Sequence, residues 1–133
     1  MFKATGGTLV SLAAALLILS ATPAAAEKQP LDGASFAGTM TEKGKTKADP
    51  DQLMFKDGKF RSTACDAYGF SETPYTSTVG DGATRFEATA TSPKEGTMKW
   101  KGTVKGNMIE GTAVWIKKGQ ADMHYDFMGK RKE

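Results

Sequence analysis

The side chains most capable of chemistry are one cysteine and one histidine. Cys65 is the only cysteine, so it cannot close a disulfide within the chain. We expect a buried, inert thiol, and a reactive thiol or a bridge to another molecule is the alternative. His124 brings no signature of a cysteine–histidine nucleophile pair. The cysteine alone therefore predicts no catalysis.

A metal site is the second chemistry to weigh. Alternate residues of a strand project the same way, so Asp122, His124 and Asp126 could hold a divalent cation weakly. A real site usually needs a further ligand from elsewhere in the chain. The acidic residues over 49–57 lack the spacing and glycine of a calcium loop. We interpret His124 as a solvated surface residue and predict no metal and no cofactor.

Catalytic motifs do not occur in the sequence. We find no nucleophile elbow, phosphate loop, zinc-protease helix or placeable pair of catalytic carboxylates. The chain is therefore predicted not to be an enzyme.

Aromatic side chains form the candidate binding set. The connection over 66–72 carries Tyr68 and Phe70, which would lie at the rim of a barrel and either cap its end or meet a ligand or partner. A small apolar ligand needs such side chains as a lining. The candidate ligand-binding residues are Tyr68, Phe70, Tyr75, Trp100, Trp115, Tyr125 and Phe127.

The N-terminus has the pattern of a secretory signal peptide. Lys3 precedes an apolar run over 9–21, and Ala24-Ala25-Ala26 offers a small-residue cleavage pattern. The run is short for the roughly 20 residues that span a bilayer. We predict cleavage after Ala26, a periplasmic or secreted protein, and no membrane span in the mature form.

The mature chain is expected to be one domain. Residues 27–34 are polar and irregular, and we predict a flexible lead-in there, followed by a barrel domain over 35–130 and a basic tail over 131–133. Loss of Lys3 lowers the net charge of the chain from +3 to +2. The lysines are interleaved with acids, so we predict no nucleic-acid partner.

Strand patterns separated by turn residues fill the domain. The sequence predicts strands over 35–43, 51–56, 59–65, 73–79, 84–92, 97–105, 108–117 and 121–130, and no segment has helical periodicity. An open sheet of this length would expose two long edges, and closure removes them. We therefore predict an all-β fold, a single-domain antiparallel up-and-down barrel of about eight strands.

Turn residues also predict strand registers. Asp57-Gly58 places Phe55 opposite Phe60, and Gly106-Asn107 places Trp100 opposite Ala113. A three-residue loop over 118–120 then sets Ala113 opposite Tyr125. On the other side we align Phe86, Ala88 and Ala90 with Val104, Gly102 and Trp100.

These registers separate apolar from charged side chains. The residues expected on the inner face are Met98, Trp100, Val104, Ile109, Trp115, Met123, Tyr125 and Phe127. The charged side chains on these strands, among them Arg85, Lys101 and Glu110, fall on the other face. Such a barrel is water-soluble, because a transmembrane barrel needs the opposite arrangement. Glycines at 102 and 111 either curl the sheet or leave room for a ligand.

The repeats of tryptophan and glycine over 97–129 resemble those of the calycin-like barrels, the lipocalin and avidin type of eight-stranded meander. The resemblance is carried by Trp100-Lys101-Gly102-Thr103-Val104, Gly111-Thr112-Ala113-Val114-Trp115 and Phe127-Met128-Gly129. It implies the fold, and such repeats also occur in small exported β-meander proteins with no assigned activity. The Gly-x-Trp signature of lipocalins is absent, since Phe36-Ala37-Gly38-Thr39 stands near the first strand, so no ligand residues are carried over.

The functional expectation is therefore a non-catalytic binding module for a small apolar or amphipathic ligand. The alternative is a protein-interaction or inhibitor-type module with a self-filled core. Its partner would bind the 66–72 loop or the outward-facing Val114 and Ile116, which we expect to form an exposed patch beside Met108.

Overall fold

The structure, a computed structural model, describes residues 29–133, so the predicted signal peptide and residues 27 and 28 lie outside the described part. Eight strands form a closed antiparallel barrel in sequence order. The strands are β1 (Ser35–Glu42), β2 (Ala48–Lys56), β3 (Lys59–Ser62), β4 (Thr73–Gly80), β5 (Ala83–Ser92), β6 (Gly96–Lys105), β7 (Met108–Ile116) and β8 (Met123–Arg131), and a 3₁₀ helix covers Thr63–Tyr68. The predicted fold class is confirmed.

Most predicted registers are confirmed as well. The Asp57-Gly58 turn sets Phe55 opposite Phe60, with positive φ at both turn residues. β6 and β7 pair Trp100 with Ala113, and β7 and β8 pair Ala113 with Tyr125. β1 pairs with both β2 and β8, and this last pairing closes the barrel.

The predicted register of β5 on β6 is wrong by two residues. Phe86 lies opposite Gly102, and Ala88 lies opposite Trp100. The connection is shorter than expected: Ser92 pairs with Gly96, whose φ of 84° closes a loop over 93–95. A shift of two residues keeps each side chain on its predicted face, so the division into inner and outer faces survives the error.

The barrel interior is filled mainly by its own aromatic rings. The ring of Phe55 lies 4.9 Å from that of Phe86 and 5.2 Å from that of Phe60. Trp100 extends this contact network to Phe127, with ring centroids 5.3 Å apart. The largest fully buried side chains are Phe36, Phe55, Phe60, Phe86, Leu53 and Ile109. The charged side chains of β5 to β8 lie outside, as predicted.

The paired glycines of β6 and β7 serve close packing inside the barrel. A Cβ on Gly111 would lie 2.2 Å from the carbonyl oxygen of Lys101 and 2.7 Å from the Phe127 ring. A Cβ on Gly102 would lie 2.6 Å from the Phe86 ring. Both rings therefore occupy the space that the missing side chains leave.

One end of the barrel is sealed by the segment that precedes β1. We expected a flexible lead-in, but residues 29–34 form a turn with Leu31 only 3% exposed. The Asp32 carboxylate accepts hydrogen bonds from the Gly58 amide at 2.9 Å and the Tyr75 hydroxyl at 2.8 Å. We call this the closed end. No helix in the described part of the chain is long and apolar enough to cross a membrane.

Candidate functional site

The opposite end of the barrel, which we call the open end, holds the 3₁₀ helix. β3 was predicted to continue to Cys65, but pairing with β2 stops at Ser62 and the chain turns into the helix. Gly69 ends the helix with a φ of 81°, and the Phe70 amide bonds the Cys65 carbonyl oxygen at 3.3 Å. Phe70 is thereby buried, so it plugs part of the open end.

A buried carboxylate anchors this helix. Asp51 faces inward from β2 and is 7% exposed. It accepts hydrogen bonds from the Ser62 hydroxyl at 2.6 Å and the Ala64 amide at 3.0 Å, and it bonds the Gln52 amide at 2.7 Å. Burial raises its pKa, and the hydrogen bonds that it accepts oppose this rise. Asp51 thus fixes the start of the helix over the barrel.

A cleft of about 380 Å³ opens between the 3₁₀ helix and the surrounding strands. Its wall is mainly aromatic, thioether and thiol, with one lysine and one aspartate at the rim. The lining residues are Met40, Lys47, Asp49, Ala64, Cys65, Tyr68, Phe70, Met98, Trp115 and Tyr125. This size lies in the range of small-molecule sites, near its lower end.

Trp115 is held in place by its indole nitrogen. The indole N–H donates to the Glu95 carbonyl oxygen at 2.5 Å, so the donor is already used. The Tyr68 ring lies 6.0 Å from the Trp115 ring at an angle of 56°. Tyr68 is 54% exposed and forms the outer edge of this pair. The site therefore offers ring faces and not an indole donor.

Tyr125 supplies a hydroxyl to the same cleft. Its hydroxyl lies 3.8 Å from the Met123 sulfur, a weak acceptor. Burial raises the pKa of Tyr125, and the nearby carboxylates of Glu42 and Asp49 raise it further. The hydroxyl is therefore a neutral group with spare hydrogen-bonding capacity.

Cys65 lies in the cleft wall as a free thiol that is 6% exposed. Burial raises its pKa to about 11, a hydrogen bond with Ser62 opposes the rise, and the carboxylates of Asp51 and Asp66 add to it. The thiolate, which is the nucleophile, is thus disfavoured at neutral pH. These properties fit a protonated wall residue better than a reactive thiol.

The predicted binding residues divide into two groups. Tyr68, Phe70, Trp115 and Tyr125 meet in the cleft, together with Cys65. Tyr75, Trp100 and Phe127 lie instead in the packed core, each at most 3% exposed, and they do not line the cleft. The sequence placed these three correctly on the inner face, but it did not show that the neighbouring rings leave no space around them.

Sequence reasoning missed half of the cleft wall. The lining residues that it did not single out are Met40, Lys47, Asp49, Ala64 and Met98. Met98 was predicted on the inner face, and Met40 lay in the predicted strand over 35–43 with no face assigned. Both methionines lie near strand ends, at the end of the barrel that carries the 66–72 connection. This position was the signal that could have indicated their place in the cleft wall.

The predicted apolar patch is not continuous. Val114 and Ile116 face outward but are half-buried, and Met108 lies at the far end of the same strand, 51% exposed. Glu110 and Thr112 lie between Met108 and Val114 on this face.

The other candidates are surface features. Asp122, His124 and Asp126 are exposed, and within residues 29–133 no cluster of three or more histidine, cysteine or acidic side chains could hold a metal. In the basic tail, Arg131 still belongs to β8 and its guanidinium lies 5.3 Å from the Phe36 ring centre.

Comparison of this chain with protein-family models, with curated proteins and with solved structures finds no match.

Proposed function

We propose that this chain is an exported, non-catalytic binding module that holds one small apolar or amphipathic molecule in the cleft of the open end. The observation that carries the proposal is the cleft itself. The interior of the described barrel is otherwise filled by its own rings, whereas at the open end Trp115, Tyr125 and Met98 border about 380 Å³ of open space. Spaces of about 450 and 480 Å³ also occur, but they are grooves on the outer face of the strands, lined largely by charged and hydroxyl side chains. An aromatic and thioether wall with few polar groups is typical of small-ligand sites.

The cleft limits the size of the ligand. At about 30 Å³ per water in the liquid, its volume equals that of about a dozen waters, which suits a small organic molecule. Phe70 blocks the path from the cleft into the core, because it is only 3% exposed. We therefore propose a compact ligand and not a long acyl chain.

The test compares bound mass in matched variants. Protein purified from a periplasmic preparation is weighed by mass spectrometry under native and denaturing conditions. We expect extra mass in the native spectrum that is lost on denaturation. Ala64→Trp fills the cleft from the 3₁₀ helix and should remove this mass, whereas Ala67→Trp changes an exposed residue outside the cleft lining of the same helix and should keep it.

Two results would contradict the proposal. One is native protein without bound mass that also takes up no small apolar probe. The other is equal binding by the two tryptophan variants, because the ligand would then lie outside the cleft.

The alternative is a protein-interaction module. It is favoured by one observation, the exposed Tyr68 ring at the rim. Tyr68→Ala would then abolish capture of the partner, whereas Ala64→Trp inside the cleft would not. Val114→Lys combined with Ile116→Lys tests the outer face in the same way.

A further inference from the structure

We propose that the cleft prefers a small organic cation, an amine or quaternary ammonium group carried on an apolar body. This inference rests on the proposed ligand-binding function and names the chemical class of the ligand. It follows from three features of the open end, namely the ring faces, the orientation of its ion pairs and the buried Asp51.

The first feature is the set of ring faces. Trp115 cannot donate to a ligand, since its N–H bonds Glu95, and Tyr68 adds a second face beside it. The Trp115 ring already attracts a cation: the Lys117 ammonium lies 5.9 Å from the ring centre while it pairs with the Glu95 carboxylate at 2.8 Å. Aromatic faces attract cations through their quadrupole, and they attract anions poorly.

The second feature is the orientation of the ion pairs around the cleft. In four pairs the carboxylate is the less exposed partner: Glu42 is 34% exposed against 66% for Lys45, and Asp49 is 63% exposed against 87% for Lys47. The same holds for Asp66 with Arg61 and for Glu95 with Lys117. The order is reversed only slightly in the pair of Lys59 with Glu72, at 48% and 55%, and neither of these two residues lines the cleft. The negative ends of the four pairs thus lie nearer the protein interior than the positive ends.

The third feature is the negative charge behind the wall. The hydrogen bonds of Asp51 come from neutral donors, so no paired cation offsets its carboxylate. Two titratable groups of the wall, Cys65 and Tyr125, respond to the same negative charge. Burial is the main reason that the pKa values of Cys65 and Tyr125 are raised, and in both cases neighbouring carboxylates add to the rise.

Lys47 is the only cationic side chain among the described residues that line the cleft. Its ammonium extends into solvent and lies 3.7 Å from the Asp49 carboxylate, so its charge is largely compensated. The other nearby ammonium, that of Lys117 over the Trp115 ring, is paired with the Glu95 carboxylate. Lys47 and Asp49 therefore form a matched pair of test positions with opposite expected effects.

The experiment uses three probes of one shape and different charge: choline, its neutral carbon analogue dimethylbutanol, and the anion tert-butylacetate. Binding is followed by NMR titration of the whole protein, with the Trp115 indole N–H as the local signal. We expect choline to bind about three- to thirtyfold more tightly than dimethylbutanol, the range of a cation–π contact. Tert-butylacetate should bind most weakly.

Variants then assign the preference to residues. Asp49→Asn should weaken choline binding a few-fold, and Lys47→Gln should strengthen it by a similar factor, because the two positions carry opposite charges at the same rim. Trp115→Leu should abolish the difference in affinity between choline and dimethylbutanol. Because this variant has no Trp115 indole, binding is followed through the backbone amides of the 3₁₀ helix.

The outcomes separate this inference from the proposed function. Equal binding of the neutral and cationic probes, or tighter binding of the anion, overturns the cation preference and leaves a ligand-binding cleft. The cation preference is also overturned if Lys47→Gln and Asp49→Asn change the affinity for choline in the same direction. No cleft shift with any of the three probes, together with no bound mass in the purified protein, overturns both.

Discussion

Cys65 provides the sharpest test of the site as described. The buried thiol has a pKa of about 11 in place of its ordinary 9.0. Well below pH 9 this rise of about two units makes the thiolate about 100-fold scarcer. A thiolate of higher pKa is also more nucleophilic, by about tenfold over two units. Titration alone therefore slows alkylation about tenfold relative to an ordinary thiol, and limited access at 6% exposure slows it further.

The assay is alkylation by iodoacetamide from about pH 7 to about pH 10, followed by mass spectrometry, on folded protein and on protein unfolded in guanidinium. We expect the alkylation rate of the folded protein to be at least about tenfold lower than that of the unfolded protein near neutral pH. The rate of the folded protein should keep rising up to about pH 10, because the native thiol is still mostly protonated there. The alkylation rate of the unfolded protein should level off near the ordinary pKa of a thiol, about 8.5 to 9.0.

Two results would refute this reasoning. Folded protein that reacts as fast as unfolded protein would show that Cys65 is accessible. A folded rate that levels off near about pH 8.5 would show that burial does not raise its pKa. Either result would restore Cys65 as a reactive or bridging thiol.

Three further predictions concern stability, measured as the free energy of unfolding in urea. Gly111→Ala should lower the free energy of unfolding by at least about 1–3 kcal/mol, because its Cβ would meet the Lys101 carbonyl oxygen. The control is Gly80→Ala, whose Cβ meets no atom within 4 Å and which should be close to neutral. Equal effects of the two substitutions would contradict the close packing of β6 on β7. Tyr75→Phe should lower the free energy of unfolding by about 1 kcal/mol, because the partly buried hydrogen bond to Asp32 at the closed end is lost; unchanged stability would contradict a sealing role for that bond. Burial raises the pKa of Asp51 above 3.8, so its contribution to stability is complete below that pH and is lost as the pH rises through the folded pKa. Asp51→Asn should remove this component, and a variant with the same pH profile as the wild type would contradict it.

The fold was predictable where turn residues fix the strand registers. Gly106-Asn107 predicted the β6–β7 register and a loop over 118–120 predicted the β7–β8 register, and both registers are confirmed. The second connection is longer than predicted, since β7 ends at Ile116 and β8 begins at Met123. The loop over 93–95 has no such signature, since Pro93 and Gly96 permit several loop lengths. The β5–β6 register was therefore wrong by an even number of residues, the error that the alternation of faces cannot detect.

The site was less predictable than the fold. Alternation separates inward from outward side chains, but it does not tell whether an inward ring meets another ring or an open space. Trp100 and Trp115 look alike in the sequence, and only one of them borders the cleft. The difference comes from the 3₁₀ helix and from Phe70, whose positions depend on the buried Asp51 and could not be read from a strand pattern.

The seam between β1 and β8 has a kinetic consequence. Phe36 pairs with Arg131, so this contact joins residues from almost opposite ends of the described chain, whereas β5 to β8 are connected by short loops. Closing so long a loop costs more entropy than forming a hairpin. We therefore expect the meander of β5 to β8 to form early and the seam to form last, after nearly the whole chain has been synthesised. Until then both strands of the seam expose unpaired edges, which is the stage at which such a chain is most prone to aggregate.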